Sequence, residues 1–312
     1  MDGRLQVFAG TSHPELAAAI MAELEAPLGR AIVGNWKNGE TRVKLEENVR
    51  GSDVFVIQSM CEPVNHHLME LLLIIDALRR ASAARITAVI PYYAYARQEK
   101  KTSGREPISA KLVANLICTA GANRILTIDL HAPAIEGFFD IPVDHLRATP
   151  LIARSLKREG FTDLVAVSPD SGGVARAEDF RERVGGSLAI IAKRRPGPDE
   201  TETLEMVGDV NGKTAIIVDD MISTASTLVV AADQLKERGA AHIHAAATHG
   251  IFASNALELI RTSAIERVYV TDTIPLPKTQ PGDHLHVISV APLLAEAIMR
   301  THKDLSISAL FT

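Results

Sequence analysis

Sulfur and aromatic rings are scarce in this chain of 312 residues, which has two cysteines, one tryptophan and aromatics at 4%. Cys61 and Cys118 are too few for a disulfide framework and show no metal-ligand spacing, so buried thiols in a reducing compartment are expected. With so few rings, the cores must be built mostly from Ala, Val, Leu and Ile. No apolar run reaches membrane-spanning length; the richest, residues 68–78, is interrupted by Glu70 and Asp76. The opening MDGRLQVFAG lacks a basic region followed by an apolar stretch, so no signal peptide is expected and a cytoplasmic location is. Positive charge is not in surplus either. A net charge of −5 counts against nucleic-acid binding and leaves room only for a local basic patch.

What is present is a globular composition, 46% hydrophobic and 23% charged, as in a soluble enzyme. The length exceeds one ordinary α/β core and suits two. Strand-like runs at 6–9, 54–58, 86–90, 125–129, 164–167, 188–191, 215–218, 243–247, 268–271 and 286–290 alternate with helical stretches. The helical stretches are 15–24, 64–80, 109–120, 150–158, 227–237, 254–260 and 292–301. Such alternation implies parallel sheets joined by crossover helices. It breaks at residues 141–149, where a domain boundary is expected. The halves also echo each other: Val89-Ile90-Pro91 leads to Arg97, and Val167-Ser168-Pro169 leads to Arg176.

The densest chemistry lies in TAIIVDDMISTASTL, residues 214–228. Residues 215–218 read as a buried strand, which puts Asp219 and Asp220 at its carboxyl end, where open α/β sheets bind ligands. Ser223, Thr224, Ala225, Ser226 and Thr227 then open a helix, and backbone N–H groups at a helix start suit a phosphate. Acceptors for sugar hydroxyls beside donors for a phosphate suit a sugar phosphate; the alternative is an ordinary strand–turn–helix with an Asp near a cap.

Other segments repeat the strand-end theme. His131 follows the run at 125–129 as a metal ligand, a phosphate contact or a backbone-bonded histidine. Asp170 precedes Ser171-Gly172-Gly173 and either helps hold Mg²⁺ or caps a helix. Lys193, Arg194 and Arg195 end a strand before Pro-Gly-Pro, and are either a solvated face or part of a loop that neutralises charge on a polyphosphate. Residues 91–107 read as a long polar loop with three tyrosines, in which Arg97 and Gln98 contact phosphate or base, or face solvent. Trp36–Glu40 reads as a turn whose Trp stacks on a base, or as a hairpin turn with a half-buried Trp.

Together these passages resemble the ribose-phosphate pyrophosphokinase family, also called phosphoribosyl pyrophosphate (PRPP) synthetases, over essentially the whole chain. The matching stretches include NGETRVKLEENVRGSDVFVIQS, DLHAPAIEGFFDIPVDHL, VSPDSGGVARA, KRRPGP and VDDMISTAST, in that order. The resemblance implies an α/β fold of two tandem phosphoribosyltransferase-like domains, each a mainly parallel sheet flanked by helices. These would be residues 1–146 and 147–285, with 286–312 left open as a segment that returns to the first. It implies conversion of ATP and ribose 5-phosphate to PRPP and AMP with Mg²⁺, in homo-oligomers built from dimers, commonly hexamers. No nucleic-acid or membrane partner is implied.

By the same resemblance Trp36, Asn38, Gly39, Glu40, Arg97, Gln98 and His131 contact ATP, at sites that lie between subunits. His131 and Asp170 serve Mg²⁺–ATP, and Lys193 and Arg195 belong to the catalytic flexible loop. Asp219 and Asp220 bind ribose, Ser223 to Thr227 bind its 5-phosphate, and Arg195 also faces that substrate. Four positions depart from the family pattern. Ser223 replaces an Asp, Ser226 a Gly, Trp36 a Phe and Asn48 a Ser. Ser226 is expected to lack the conformational freedom of glycine. Arg50, Ser103 and Ser308 fit the family's regulatory anion site, with Asn48 as the exception. Rival readings are a non-catalytic regulatory homologue, a phosphoribosyltransferase that consumes PRPP, and a nucleic-acid-binding regulator on the same fold.

Overall fold

Runs of Val, Ile and Ala become buried parallel strands here because both faces of each sheet are covered by helices. The computed structural model describes residues 3–194, 203–277 and 284–310. The chain divides into two compact units, one formed by Met1–Arg147, Thr273–Pro275 and Val290–Thr312, the other by Ala148–Asp272 and Leu276–Ser289.

The first unit opens with β1 (Leu5–Ala9), α1 (Pro14–Glu23), β2 (Ala31–Asn35), β3 (Thr41–Leu45) and β4 (Asp53–Ile57). It continues with α2 (Val64–Arg80), β5 (Arg85–Ile90), α3 (Ser109–Ala120), β6 (Arg124–Ile128) and β7 (Val143–Leu146). Five strands form one sheet in the order β1-β4-β5-β6-β7, and every pairing is parallel. Val54, Val56, Leu71, Ile74 and Ile86 are fully or almost fully buried between this sheet and its helices. Pro14 starts α1, where a missing N–H costs little, and His13 Nδ1 accepts the Leu16 N–H at 3.3 Å.

The second unit holds α4 (Thr149–Arg158), β8 (Leu164–Ser168), α5 (Val174–Val184), β9 (Ser187–Arg194), β10 (Thr203–Val207) and β11 (Thr214–Ile222). It closes with α6 (Ser226–Glu237), β12 (His242–Gly250), α7 (Ala256–Arg261), β13 (Arg267–Thr271) and β14 (Leu285–Ile288). Its seven strands run β10-β9-β8-β11-β12-β13-β14, all parallel except the antiparallel β10–β9 pair. The last helix, α8 (Ala291–His302), belongs to the first unit and packs on α1.

Three differences from the sequence reading bear on the site. Residues 141–149 do not simply break the alternation: they contain β7, a fifth parallel strand beside β6. The strand expected to stop at Val218 runs to Ile222, because β12 pairs with it as far as the Ile222–Gly250 register while β8 pairs only to Ile217. Residues 286–288 join the second sheet as β14, and of the segment 286–312 only the part from Val290 belongs to the first unit.

Candidate active site

Carboxyl ends of parallel strands gather most of the residues singled out by sequence. In the second unit β8 delivers Asp170 and β11 delivers Asp219 and Asp220. Asp170 Oδ1 accepts the N–H of Gly172 at 2.8 Å and of Gly173 at 2.9 Å, a local turn that holds the carboxylate group in place. A side chain at Gly173 would meet Ser168 Oγ at 2.9 Å, so the Ser168 hydroxyl would have to shift to admit one before α5 begins.

One turn into α5, Arg176 reaches across to β11. Its Nη1 lies 2.9 Å from Asp219 Oδ1 and its Nη2 3.4 Å from Asp220 Oδ1. Asp220 is buried, whereas the side chain of Asp219 keeps 32% of its exposure. Burial, aided by the adjoining Asp220, pushes the Asp219 carboxyl up to about 7, and Arg176 only partly opposes the rise. Two adjacent carboxylates with one guanidinium thus form a group that can accept hydrogen bonds from vicinal hydroxyls. Arg176 was legible in sequence only as half of the strand–Pro–Arg echo, and its place on α5 beside the acids is what identifies it.

The hydroxyl-rich segment follows at once. Ile222 O accepts from the N–H groups of Ile251 and Phe252 at 2.9 and 3.0 Å, and Ser223 O from Ala253 at 3.0 Å, which pins the start of the turn. Ala225 takes the left-handed conformation with φ 61° and ψ 0°, and α6 begins at Ser226 with no side chain capping it. Left-handed backbone is disfavoured for any residue with a Cβ. The strained position is therefore Ala225. Ser226 is an ordinary first helical residue, not among the residues with positive φ, and so holds a backbone conformation that needs no glycine freedom. Thr224 and Ser226 stand together, with Ser226 Oγ 3.4 Å from Thr224 Oγ1, and Thr227 occupies the next helical position.

Lys193 lies in β9 opposite Leu204 of β10, so the chain is still a paired strand where a loop was expected to begin. Arg195 lies outside the described residues.

In the first unit the parallel neighbours β5 and β6 release residues 91–107 and the His131 turn at the same edge of the sheet. The 91–107 segment is more ordered than a polar loop requires. Tyr93 is buried and donates to Ala110 O at 2.8 Å, Tyr95 Oη donates to Asn65 Oδ1, and Ser109 Oγ donates to Gln98 Oε1. Arg97 adjoins Gln98 in this segment. Trp36 to Glu40 cap the β2–β3 hairpin, a separate two-stranded sheet packed on α2. The turn closes through Gly39 N–H to Trp36 O at 2.9 Å and Trp36 N–H to Glu40 O at 2.8 Å, with Gly39 at φ 90°. Asn38 Oδ1 accepts the Glu40 N–H at 3.2 Å. Trp36 is 52% exposed rather than half-buried, and the Arg42 guanidinium lies 4.7 Å from its ring centroid.

His131 sits just past β6, half-buried. Behind it Leu130 N–H donates to His145 Nε2 at 2.7 Å, and His145 Nδ1 faces Glu136 Oε1 at 2.5 Å. Burial, then the charge of Arg147, pushes the His145 imidazole below its usual range, against the pull of Glu136 and Asp129. A cavity of about 550 Å³ adjoins this cluster, with Arg124, Asp144, His145, Arg147 and Ser308 in its wall. Arg50 and Ser103 do not line it. Asn48 Oδ1 instead accepts the Arg50 N–H at 3.0 Å, and the Ser103 hydroxyl donates to Glu106 at 2.8 Å.

Comparison with known proteins gives this geometry a family. A family model described as the N-terminal domain of ribose phosphate pyrophosphokinase matches residues 5–121, and one described as the phosphoribosyl synthetase-associated domain matches residues 187–312. A ribose-phosphate pyrophosphokinase of Caldanaerobacter subterraneus subsp. tengcongensis is 53% identical over 99% of this chain and 98% of its own length. That of Bacillus cereus is 48% identical over 100% and 98%. The crystal structure of phosphoribosylpyrophosphate synthetase from Mycobacterium smegmatis superposes with a TM-score of 0.91 at 45% identity, covering 96% of this chain and 99% of that one. With acids, cradle and full-length kinship all pointing one way, the chain belongs to the ribose-phosphate pyrophosphokinase family.

Proposed function

We propose that this protein transfers the β,γ-pyrophosphoryl group of ATP to the 1-hydroxyl of ribose 5-phosphate, giving PRPP and AMP. The observation that carries the reading is the Asp219–Asp220–Arg176 group leading directly into the uncapped start of α6. Hydroxyl acceptors and phosphate donors then lie a few residues apart, as a pentose phosphate requires. Full-length kinship at about half identity supports the same activity.

In this reading the backbone N–H groups of Ser223 to Thr227 hold the 5-phosphate, and Asp219 and Asp220 accept hydrogen bonds from the ribose hydroxyls. The sugar's O1 loses its proton to solvent and bonds to the β-phosphorus of ATP, the bond from that phosphorus to the oxygen bridging to the α-phosphorus breaks, and AMP leaves with that oxygen and the bonding electron pair. Charge develops on the phosphoryl oxygens, where Lys193 and Arg195 supply positive charge. Trp36 stacks on the adenine, with Asn38, Gly39, Glu40, Arg97, Gln98 and His131 as further ATP contacts, the hairpin serving the nucleotide of a neighbouring subunit.

Mg²⁺ fits the donors present. It takes one or two carboxylates together with substrate phosphates rather than an all-protein cage, which Asp170 suits, and the family resemblance adds His131 as a further donor. When bound it supplies charge neutralisation at the ATP phosphates. We further propose a homo-oligomer assembled from dimers, which light scattering on the purified protein would test.

The deciding assay is AMP formation from ATP with Mg²⁺, with and without ribose 5-phosphate. Sugar-dependent AMP is expected; none at all would leave the non-catalytic homologue as the better reading.

A further inference from the structure

The turn that carries His131 is held from behind by a side chain with no role assigned above. Asp129 at the end of β6 adopts a left-handed backbone, φ 39°, which a non-glycine residue keeps only when its surroundings enforce it. The enforcement comes from β7 and the residue after it. Asp129 N–H donates to Leu146 O at 3.1 Å, and its carboxylate lies 3.6 Å from Arg147 Nη1. The next N–H, that of Leu130, is inside the protein and ends on His145 Nε2 at 2.7 Å. Leu130 is 4% exposed and His145 6%, so the bond is shielded from solvent while the imidazole is in place.

An imidazole nitrogen that receives an N–H must be bare. Arg147 Nη1, 3.1 Å from the same Nε2, requires the same. The proton therefore sits on Nδ1 and points at Glu136 Oε1, 2.5 Å away on the turn of 3-10 helix at Pro133–Phe138. Glu136 sets the tautomer, the tautomer presents a lone pair to Leu130, and that bond holds the backbone between Asp129 and His131.

We propose that His145 is a positioning residue for His131: it fixes the Asp129–His131 backbone through Leu130, and with it the point from which His131 meets the nucleotide. The role of His131 at the nucleotide rests on the function proposed above, whereas the clamp on the backbone does not. Losing the acceptor would strand a buried N–H beside a strained residue, and the turn would relax toward solvent. A displacement on the order of 1 Å at a positioning group can cost about 10²-fold in rate.

The test compares wild type with His145→Ala, His145→Gln and Glu136→Ala, with two readouts. Gln can offer its amide oxygen near the site of Nε2, so it is the conservative replacement. By hydrogen exchange of the Leu130 amide, protection is expected in wild type and His145→Gln and loss of it in His145→Ala. By ¹⁵N NMR of labelled histidine, His145 is expected as the Nδ1–H tautomer. In steady-state AMP formation His145→Ala is expected to lower kcat by about 10- to 100-fold, with the KM for ribose 5-phosphate changed less than about twofold and His145→Gln recovering most of the rate.

A protected Leu130 amide in His145→Ala, or unchanged kcat with a lost amide bond, overturns the proposal. If His145→Ala does not fold, Glu136→Ala decides, since the Glu136 side chain is 43% exposed and removable. Faster Leu130 exchange then supports the clamp, and unchanged exchange refutes it. A wild type that makes no AMP sinks the proposed function, and the exchange data still judge the clamp.

Discussion

At the scale of single residues, Asp219 and Ala225 each carry a cost at the proposed sugar-phosphate site. The Asp219 carboxyl, raised to about 7 by burial and by Asp220, binds a proton in the folded chain that the unfolded chain gives up near its ordinary value of 3.8. Its stabilising share is complete below that ordinary value and disappears as pH climbs through about 7. Asp219→Asn removes this loss. After allowance for partial exposure we expect it to stabilise the free protein by about 1 kcal/mol at pH 8, roughly 2–4 °C in melting temperature, and by almost nothing at pH 4. Equal melting shifts at both pH values would contradict the assignment. Ala225 is strained differently. A β-branched side chain tolerates left-handed backbone worst, so Ala225→Val should cost about 1–2 kcal/mol in chemical denaturation and raise the KM for ribose 5-phosphate several-fold. Unaltered affinity would separate the strained turn from the sugar site. The acid pair and the hydroxyl run were plain in the sequence, because residue types announce chemistry. The left-handed residue was not: Ser226 drew attention as a missing glycine, while the backbone turns at its neighbour.

Elements show where short-range pattern stops being informative. The long parallel strands were readable as unbroken apolar runs, such as β4 with all five residues buried and β8 likewise. Four strands are absent from the apolar runs for one reason, that their burial is mixed or their partners distant. β2 and β3 form a small hairpin with mostly half-buried residues, β7 shares Asp144 and His145 with the cluster behind His131, and β10 is an edge strand. The hairpin has a consequence for recognition. An exposed ring backed by Arg42 is available for stacking, so Trp36→Ala is expected to raise the KM for ATP about tenfold with little change for ribose 5-phosphate, and Trp36→Phe to restore most of it. Equal rises for both substrates would point instead to a damaged fold. Lys193 belongs to this scale too. It ends a paired strand, and Lys193→Ala should depress kcat by about 10²-fold or more while leaving both KM values within a few-fold, as loss of a transition-state contact does. Near-normal turnover would remove Lys193 from the mechanism.

For the molecule as a whole, the chain's last helix is locked into the first unit by a buried charge cluster. Asp53 is completely buried and takes two bonds of 2.7 Å from Arg85, while His302 Nδ1 of α8 lies 2.8 Å from the same carboxylate. Arg85 also donates to Thr301 O at 2.8 Å. Removing one partner from such a group leaves a buried charge uncompensated, a loss of about 3–5 kcal/mol. Arg85→Met is accordingly expected to lower the urea midpoint markedly and to expose α8 to limited proteolysis. A midpoint within error of wild type would mean that α8 is held by apolar packing alone. Nothing in the one-dimensional pattern links His302 to Asp53 and Arg85, both more than two hundred positions before it.

The division of labour is physical. Periodicity, strand-end acids and hydroxyl-rich turns are local properties, so the linear order of residues was enough to determine alternating parallel sheets, an acid pair leading into a hydroxyl-rich turn, and the family resemblance. Which atoms face one another is a long-range property. The reach of Arg176 to the acid pair, the strain at Ala225 and the grip of His145 on the His131 turn arose only when distant strands came into register, because hydrogen bonds and burial depend on separation in space and not along the chain.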